Sequence, residues 1–297
     1  MAYVAGNTIL DDEYNAFVNN GSSPYGYNHF AGTGSGVYGL GQSTIATVSA
    51  GNTVTAAQWN SLWTAMDNIA NHTNDTLTST AAVSTGNTIA IKSALTTDLA
   101  TLAASVAAGC PNTTALTNSS TKNADTANSW TTTQTVTTSW TAASADALRY
   151  FFNSGGKIVI DWTNPTLPSG GANNKNTEWI DICNRAGPIT IKANDLDSGG
   201  SGTINNDFGF HDLTTSYQTL MTTTGDTSPY TANTLVLSAL VSGATLTIRT
   251  IFTDGAADTT YHSATQTDND YVGVLRMESY ARNPNTAEGL GTAYTVS

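Results

Sequence analysis

Charge is scarce in this chain of 297 residues: 11% of positions are Asp, Glu, Lys or Arg, against about 25% in an average soluble protein. Its 10 basic residues face 22 acids, for a formal net charge of −12, and no Lys or Arg occurs before Lys92. A surface like that repels phosphate, so wrapping nucleic acid or binding anionic lipid is excluded as a function class. Cysteine is nearly absent. Cys110 and Cys183 stand far apart with no CxxC or Cys/His spacing, which argues against a disulfide framework or zinc site and predicts two buried free thiols. No stretch approaches the ~18 continuous apolar residues of a membrane helix. The opening Met-Ala-Tyr-Val-Ala-Gly-Asn-Thr-Ile has neither a basic region nor an apolar core of the kind export signals carry. Four histidines, His29, His72, His211 and His262, lack ligand spacing, and no GxSxG elbow occurs. Neither a catalytic residue nor a cofactor is expected.

What the chain does have is Thr, Asn, Ser, Gly and Ala, a neutral polar composition suited to packed, repetitive assemblies. Its length allows two domains with cores of their own. An internal repeat pairs Gly6-Asn7-Thr8-Ile9 with Gly51-Asn52-Thr53-Val54 and runs on without a gap, Glu13-Tyr14-Asn15-Ala16-Phe17 falling on Gln58-Trp59-Asn60-Ser61-Leu62. Each copy reads as a turn entering an amphipathic helix, and Thr55-Ala-Ala-Gln58 has the form of a capping box. Gly86-Asn87-Thr88-Ile89 is a weak third echo. Gly34-Ser-Gly36-Val-Tyr-Gly39 is formally GxGxxG, but no acid lies between Glu13 and Asp67 to hold a ribose, so a turned loop is expected there.

From Ile89 to Ala108 the spacing of Leu95, Leu99, Leu102 and Val106 predicts a helix ended by Gly109-Cys110-Pro111. Residues 112 to 140, rich in Thr, Asn and Ser, lack clear periodicity and read as a linker. Beyond it a helix from about Thr141 to Phe152 stops at Asn153-Ser154-Gly155-Gly156, a strand follows over Lys157–Trp162, and a second short helix covers Asn176–Ile182. Further strands are expected at Pro188–Lys192, Thr234–Val241, Ala244–Phe252 and Tyr271–Met277, with Ser242-Gly243 as a hairpin turn. The fold expected is α+β: short helical repeats over 1–111, a linker over 112–140, and a β-rich, sandwich-like domain with two short helices over 141–297. Asp195 with Asp197, Asp254 with Asp258, and Asp268 with Asp270 offer oxygen ligands for calcium, though the twelfth position from Asp195 is Asn206 rather than the Glu of an EF-hand.

The run Arg149-Tyr150-Phe151-Phe152-Asn153-Ser154-Gly155-Gly156-Lys157-Ile158 resembles a segment of virion structural proteins of tailed, cyanophage-like bacteriophages. Asn176-Thr-Glu-Trp179, Gly209 to Gln218, Tyr230 to Val236 and the Tyr14-Asn15/Trp59-Asn60 repeat look like the same group, in the expected order. The resemblance implies a multi-copy tail, neck, baseplate or fibre component, assembled in the host cytoplasm into the virion. Its implied partners are copies of itself, as a trimer or higher symmetric oligomer, and other phage structural proteins. On that reading Tyr14, Phe17, Trp59, Leu62, Trp63, Trp130 and Trp140 are candidate interface residues, Trp in particular being favoured at interface centres. A fibre module binding a host surface glycan is the alternative, and a polysaccharide depolymerase using a carboxylate pair is the third reading.

Overall fold

A computed structural model describes residues 10–79, 83–84, 92–111, 116–166, 174–205, 208–256, 260–261, 266–267, 271–284, 290 and 294–297. The chain divides into two compact units. Unit 1 comprises 1–117, 146–156 and 283–295, and unit 2 comprises 118–145, 157–282 and 296–297.

Unit 1 is helical: α1 (Asp11–Asn19), α2 (Ala56–Thr73), α3 (Lys92–Ala107) and α4 (Ala145–Asn153), with a π-helical turn at Asn28–Gly32. Three acids in the first turn of α1 complement its positive end. The α2 start is the expected capping box: Thr55 Oγ1 accepts from Gln58 N–H at 3.3 Å, and Gln58 Oε1 accepts from Thr55 N–H at 2.9 Å. Asn74, at φ 59, closes its other end. Tyr14, Phe17 and Val18 of α1, Trp59, Leu62, Met66 and Ile69 of α2, and Leu95, Leu99, Leu102 and Val106 of α3 share one apolar core.

The two described halves of the sequence repeat use the same hydrogen-bond device. Asn15 Nδ2 donates to the Val48 carbonyl and Asn15 Oδ1 accepts from Val48 N–H, both at 2.8 Å. Asn60 holds Val83 in the same way, at 3.1 and 2.9 Å. A neutral carboxamide thus replaces the rung of a sheet ladder, satisfying the backbone of an extended segment without a strand beside it. Asn28 repeats the clasp on Ile45, and in unit 2 Asn176 does so on Val272. Replacing Asn60 by Ala is expected to cost about 1–3 kcal/mol through the Val83 groups left unmade, read as a lower urea midpoint of unit 1. An unchanged midpoint would show that water substitutes freely. The Gly6-Asn7-Thr8-Ile9 and Gly86-Asn87-Thr88-Ile89 segments lie outside the described residues.

Unit 2 is β-rich. Its described strands are β1 (Thr117–Asn118), β2 (Lys122–Asp125), β3 (Thr133–Thr141), β4 (Lys157–Thr163), β5 (Ile189–Ile191), β6 (Leu196–Ser198), β7 (Thr203–Ile204), β8 (Gln218–Thr224), β9 (Thr234–Ser242), β10 (Thr245–Thr253), β11 (Thr260–Tyr261), β12 (Gln266–Thr267) and β13 (Arg276–Asn283), accompanied by the α-helix α5 (Asn174–Ala186) and 3-10 turns at Phe210–Asp212 and Tyr230–Ala232. One sheet runs β1-β13-β4-β5-β6, with β2 also on β13; a second runs β3-β10-β9-β8-β7; β11 and β12 pair with each other. The described pairings are antiparallel. The two larger sheets meet through their inward side chains. Trp162 Nε1 donates to Thr250 Oγ1 at 3.0 Å, and Trp140 Nε1 donates to Ser279 Oγ at 3.2 Å. Both of these buried indoles therefore have their polar edge answered from the opposite sheet. The fold is α+β, and unit 2 carries the sandwich.

Three expectations are corrected. The segment 112 to 140, expected as a linker, forms strands where it is described: residues 116–140 contribute β1, β2 and most of β3, and β3 pairs with β10 over its whole length, from Thr133↔Thr253 to Thr141↔Thr245. Threonine is β-branched and suits a pleated strand, and Val136, Thr138 and Trp140 alternate inward against exposed Thr135 and Thr137. The division at 111 and 140 fails for a second reason. Helix α4 and residues 283–295 return to unit 1, so the units interleave along the chain. Finally, the strand expected at Tyr271–Met277 is displaced to Arg276–Asn283. Gly273 has φ +108, a conformation that interrupts the run, and Tyr271 keeps only an isolated bridge to Trp130. The hairpin expected at Ser242-Gly243 is present one residue on: Ser242 ends β9 and pairs with Thr245, and Gly243, at φ +56, opens the two-residue loop Gly243-Ala244, matching a type II′ turn.

Candidate functional site

Helical spacing puts Glu178, Asp181 and Arg185 on one face of α5. The connection between β8 and β9 brings Asp226 to them. Gly225 is needed for this approach, because a Cβ there would stand 2.1 Å from the Tyr230 carbonyl oxygen. Asp226 N–H donates to Glu178 Oε1 at 2.9 Å. The three carboxylates offer oxygens within 4.8 Å of one another, and Arg185 stands among them: Nε lies 2.5 Å from Asp181 Oδ2 and 3.4 Å from Asp226 Oδ2, and Nη2 is 3.8 Å from Glu178 Oε1. With Thr177, Thr227, Ser228, Pro229 and Tyr230 these acids line a cavity of about 470 Å³.

Three carboxylates at this range repel one another, and the guanidinium offsets that repulsion. These residues are the described set that could hold a cation, but Arg185 already supplies the positive charge. Geometrically the cluster clamps α5 to the β8–β9 connection beside a polar, concave surface. The Glu178/Asp181/Arg185 spacing is readable in the sequence. The participation of Asp226, forty-eight positions from Glu178, is not.

The expected interface residues are placed elsewhere than expected. Tyr14, Phe17, Trp59 and Leu62 fill the core of unit 1, and Trp130 and Trp140 are buried in unit 2, exposed by 5% and 1%. Trp63 is half-buried, its Nε1 donating to the Ser79 carbonyl at 3.1 Å. Six of these seven side chains therefore serve the cores of the two units, and Trp63 alone among them keeps partial exposure. Large aromatic side chains bury the most apolar surface per residue, and here they pack with Leu, Ile, Val and Met in the cores of the two units.

The candidate calcium loop is likewise taken. Asp195 and Asp197 both hold Lys192 Nζ, each at 2.9 Å. Burial works against the charge on Lys192, and the two carboxylates more than reverse that, holding its pKa above the ordinary lysine value. Asp254 pairs with Lys175, while Asp258, Asp268, Asp270 and His262 lie outside the described residues. His29 stacks on Tyr25 at 4.6 Å, and His72 Nε2 lies 2.9 Å from the Ser154 carbonyl in the interior. His211 packs edge to face on Phe210. Cys110 and Cys183 are buried free thiols, as expected, and burial pushes both pKa values up, away from the reactive thiolate.

The Gly34 to Gly39 loop has the opposite polarity to a phosphate cradle. Its carbonyls turn onto α4: Arg149 donates to Thr33 O at 2.7 Å and to Tyr38 O, and Asn153 Nδ2 donates to Tyr38 O and Gly39 O at 3.1 Å each. Positive φ at Gly34, Gly36 and Gly39 makes that turn possible. The Phe-Asn-Ser-Gly-Gly run thus gains a structural role in unit 1 beyond stopping a helix. Among the described residues, no helix is long and apolar enough to cross a membrane. Compared with protein-family models, curated proteins and solved structures, the chain matches none.

Proposed function

We propose that this chain is a structural subunit of a tailed-bacteriophage virion, present in several copies as a tail-associated or fibre component that mediates assembly, and not an enzyme. The observation that carries this reading is the Arg149–Ile158 run followed in order by the 176–179, 209–218 and 230–236 segments, which resemble such proteins across most of the chain. The architecture is compatible with it. Neutral amide clasps and threonine strands build rigidity with little charge, and repeated helical elements suit a particle part. Contacts between copies would draw on neutral surface such as the exposed threonines of β3, since Tyr14, Trp59, Trp130 and Trp140 are buried.

Light scattering on the purified full chain tests the multi-copy element. A trimer or larger closed assembly is expected, and a monomer at all accessible concentrations would count against it. A second reading, host-glycan binding, is favoured by the concave surface around Glu178, Asp226 and Tyr230. It predicts binding of the full chain to host envelope glycan that is lost in Asp226→Ala. The full chain is required, because a fragment beginning at 141 would remove β3 from its sheet.

A further inference from the structure

We propose that Lys175 and Asp254 form a self-modification site: the lysine amine and the aspartate carboxyl condense inside the folded subunit to an intramolecular isopeptide bond.

Lys175 Nζ stands 2.7 Å from Asp254 Oδ2, and neither side chain has any solvent exposure. Taking both charges out of water carries a desolvation cost that their mutual attraction repays only in part, and condensation eliminates both. Each partner is fixed by its neighbours. Lys175 lies in the first turn of α5, and the next residue, Asn176, clasps Val272 at 2.6 and 2.9 Å. Asp254 directly follows β10, and the next two N–H groups, of Gly255 and Ala256, both donate to Asn233 Oδ1 at 3.0 Å. Trp179, one turn beyond Lys175, meets Phe252, two residues before Asp254, edge to face at 5.8 Å. The pair is thereby flanked by apolar rings. Reactants held in contact gain effective molarities of order 10⁵–10⁸ M over a bimolecular reaction, and exclusion of water protects the product from hydrolysis.

The step balances within the pair. One proton passes from the Lys175 ammonium to the Asp254 carboxylate, giving a neutral amine and a carboxylic acid. The nitrogen lone pair attacks Cγ and the Nζ–Cγ bond forms. A second Nζ proton moves to the departing oxygen, the Cγ–O bond breaks, and water leaves. Of the three ammonium hydrogens one stays on the amide and two depart, so neither an oxidant nor an activating nucleotide is needed. The product ties the start of α5 to the end of β10 across 79 positions of sequence. For a particle component such a bond would resist both force and unfolding; the chemistry stands or falls independently of that role.

The test is mass spectrometry of the purified full chain, incubated at neutral pH, then unfolded and digested with trypsin. The expected result is an intact mass lower by one water, a branched peptide joining the Lys175 and Asp254 segments, and no cleavage after Lys175. Lys175→Arg should restore the full mass. Two outcomes would overturn the proposal. One is full mass in the unaltered chain with normal cleavage after Lys175. The other is a water deficit that persists in Lys175→Arg without a branched peptide, which would place the loss at Asp254-Gly255 as a cyclic imide. The branched peptide is read in the unaltered chain, so the result does not depend on a variant folding.

Discussion

Trp59→Ala is expected to lower the stability of unit 1 by about 3–5 kcal/mol, the range for truncating a large buried aromatic. Trp59 is 1% exposed and meets Phe17 edge to face at 6.3 Å. Truncation removes that ring contact and leaves a cavity among α1, α2 and α3 that rigid neighbours fill only in part. Urea denaturation followed by Trp and Tyr signals of unit 1 would show the loss, with the assembled mass unchanged where the variant stays folded. The alternative outcome is diagnostic: dissociation of an oligomer with unit stability preserved would mean that Trp59 faces a neighbouring copy after all.

The second large effect concerns Asp98 on α3, which is 2% exposed. Its carboxylate accepts from Thr78 N–H at 2.9 Å, Thr78 Oγ1 at 2.8 Å, Ser79 N–H at 2.8 Å and Ser79 Oγ at 2.5 Å. Asp98→Ala would leave the Ser79 donors buried without an acceptor, at an expected cost of about 2–4 kcal/mol. Burial acts to raise the Asp98 pKa, but the bonds from Ser79 and Thr78 outweigh it and hold the group below 3.8. A carboxyl depressed on folding contributes stability that is fully present above its unfolded value. That contribution is lost as pH falls below 3.8 through the folded pKa. Melting of the unaltered chain should therefore steepen its decline in that window, and Asp98→Asn should flatten it. Equal acid profiles for the two would refute this role.

Much of this fold is legible in the sequence where local chemistry and tertiary structure agree. The Thr55/Gln58 box, the leucine spacing of α3 and the alternation of β10 each state their element directly. What escaped is physical in origin. The threonines of β3 carry no contrast between polar and apolar faces until Val136, so periodicity could not announce a strand that packing nevertheless selects. The return of α4 and residues 283–295 to unit 1 depends on contacts such as Arg149 with Thr33 and Tyr294 with Gly41, far apart in sequence. Asparagine after an aromatic was visible in both repeats, but its clasp on Val48 or Val83 needs the partner segment in place. Sequence states the size of an aromatic and not its exposure, so it cannot separate the core role of Trp59 or Trp140 from an interface role. The acid–arginine clamp was half legible, on α5 alone.

The proposal that the chain is a virion component is tested most directly by quantitative mass spectrometry of purified, nuclease-treated virus particles from a culture that produces it. The account predicts peptides of this chain in the particle, at a copy number fixed relative to the major capsid subunit and greater than one. Its absence from intact particles, with the protein recovered only from the infected-cell lysate, would contradict it.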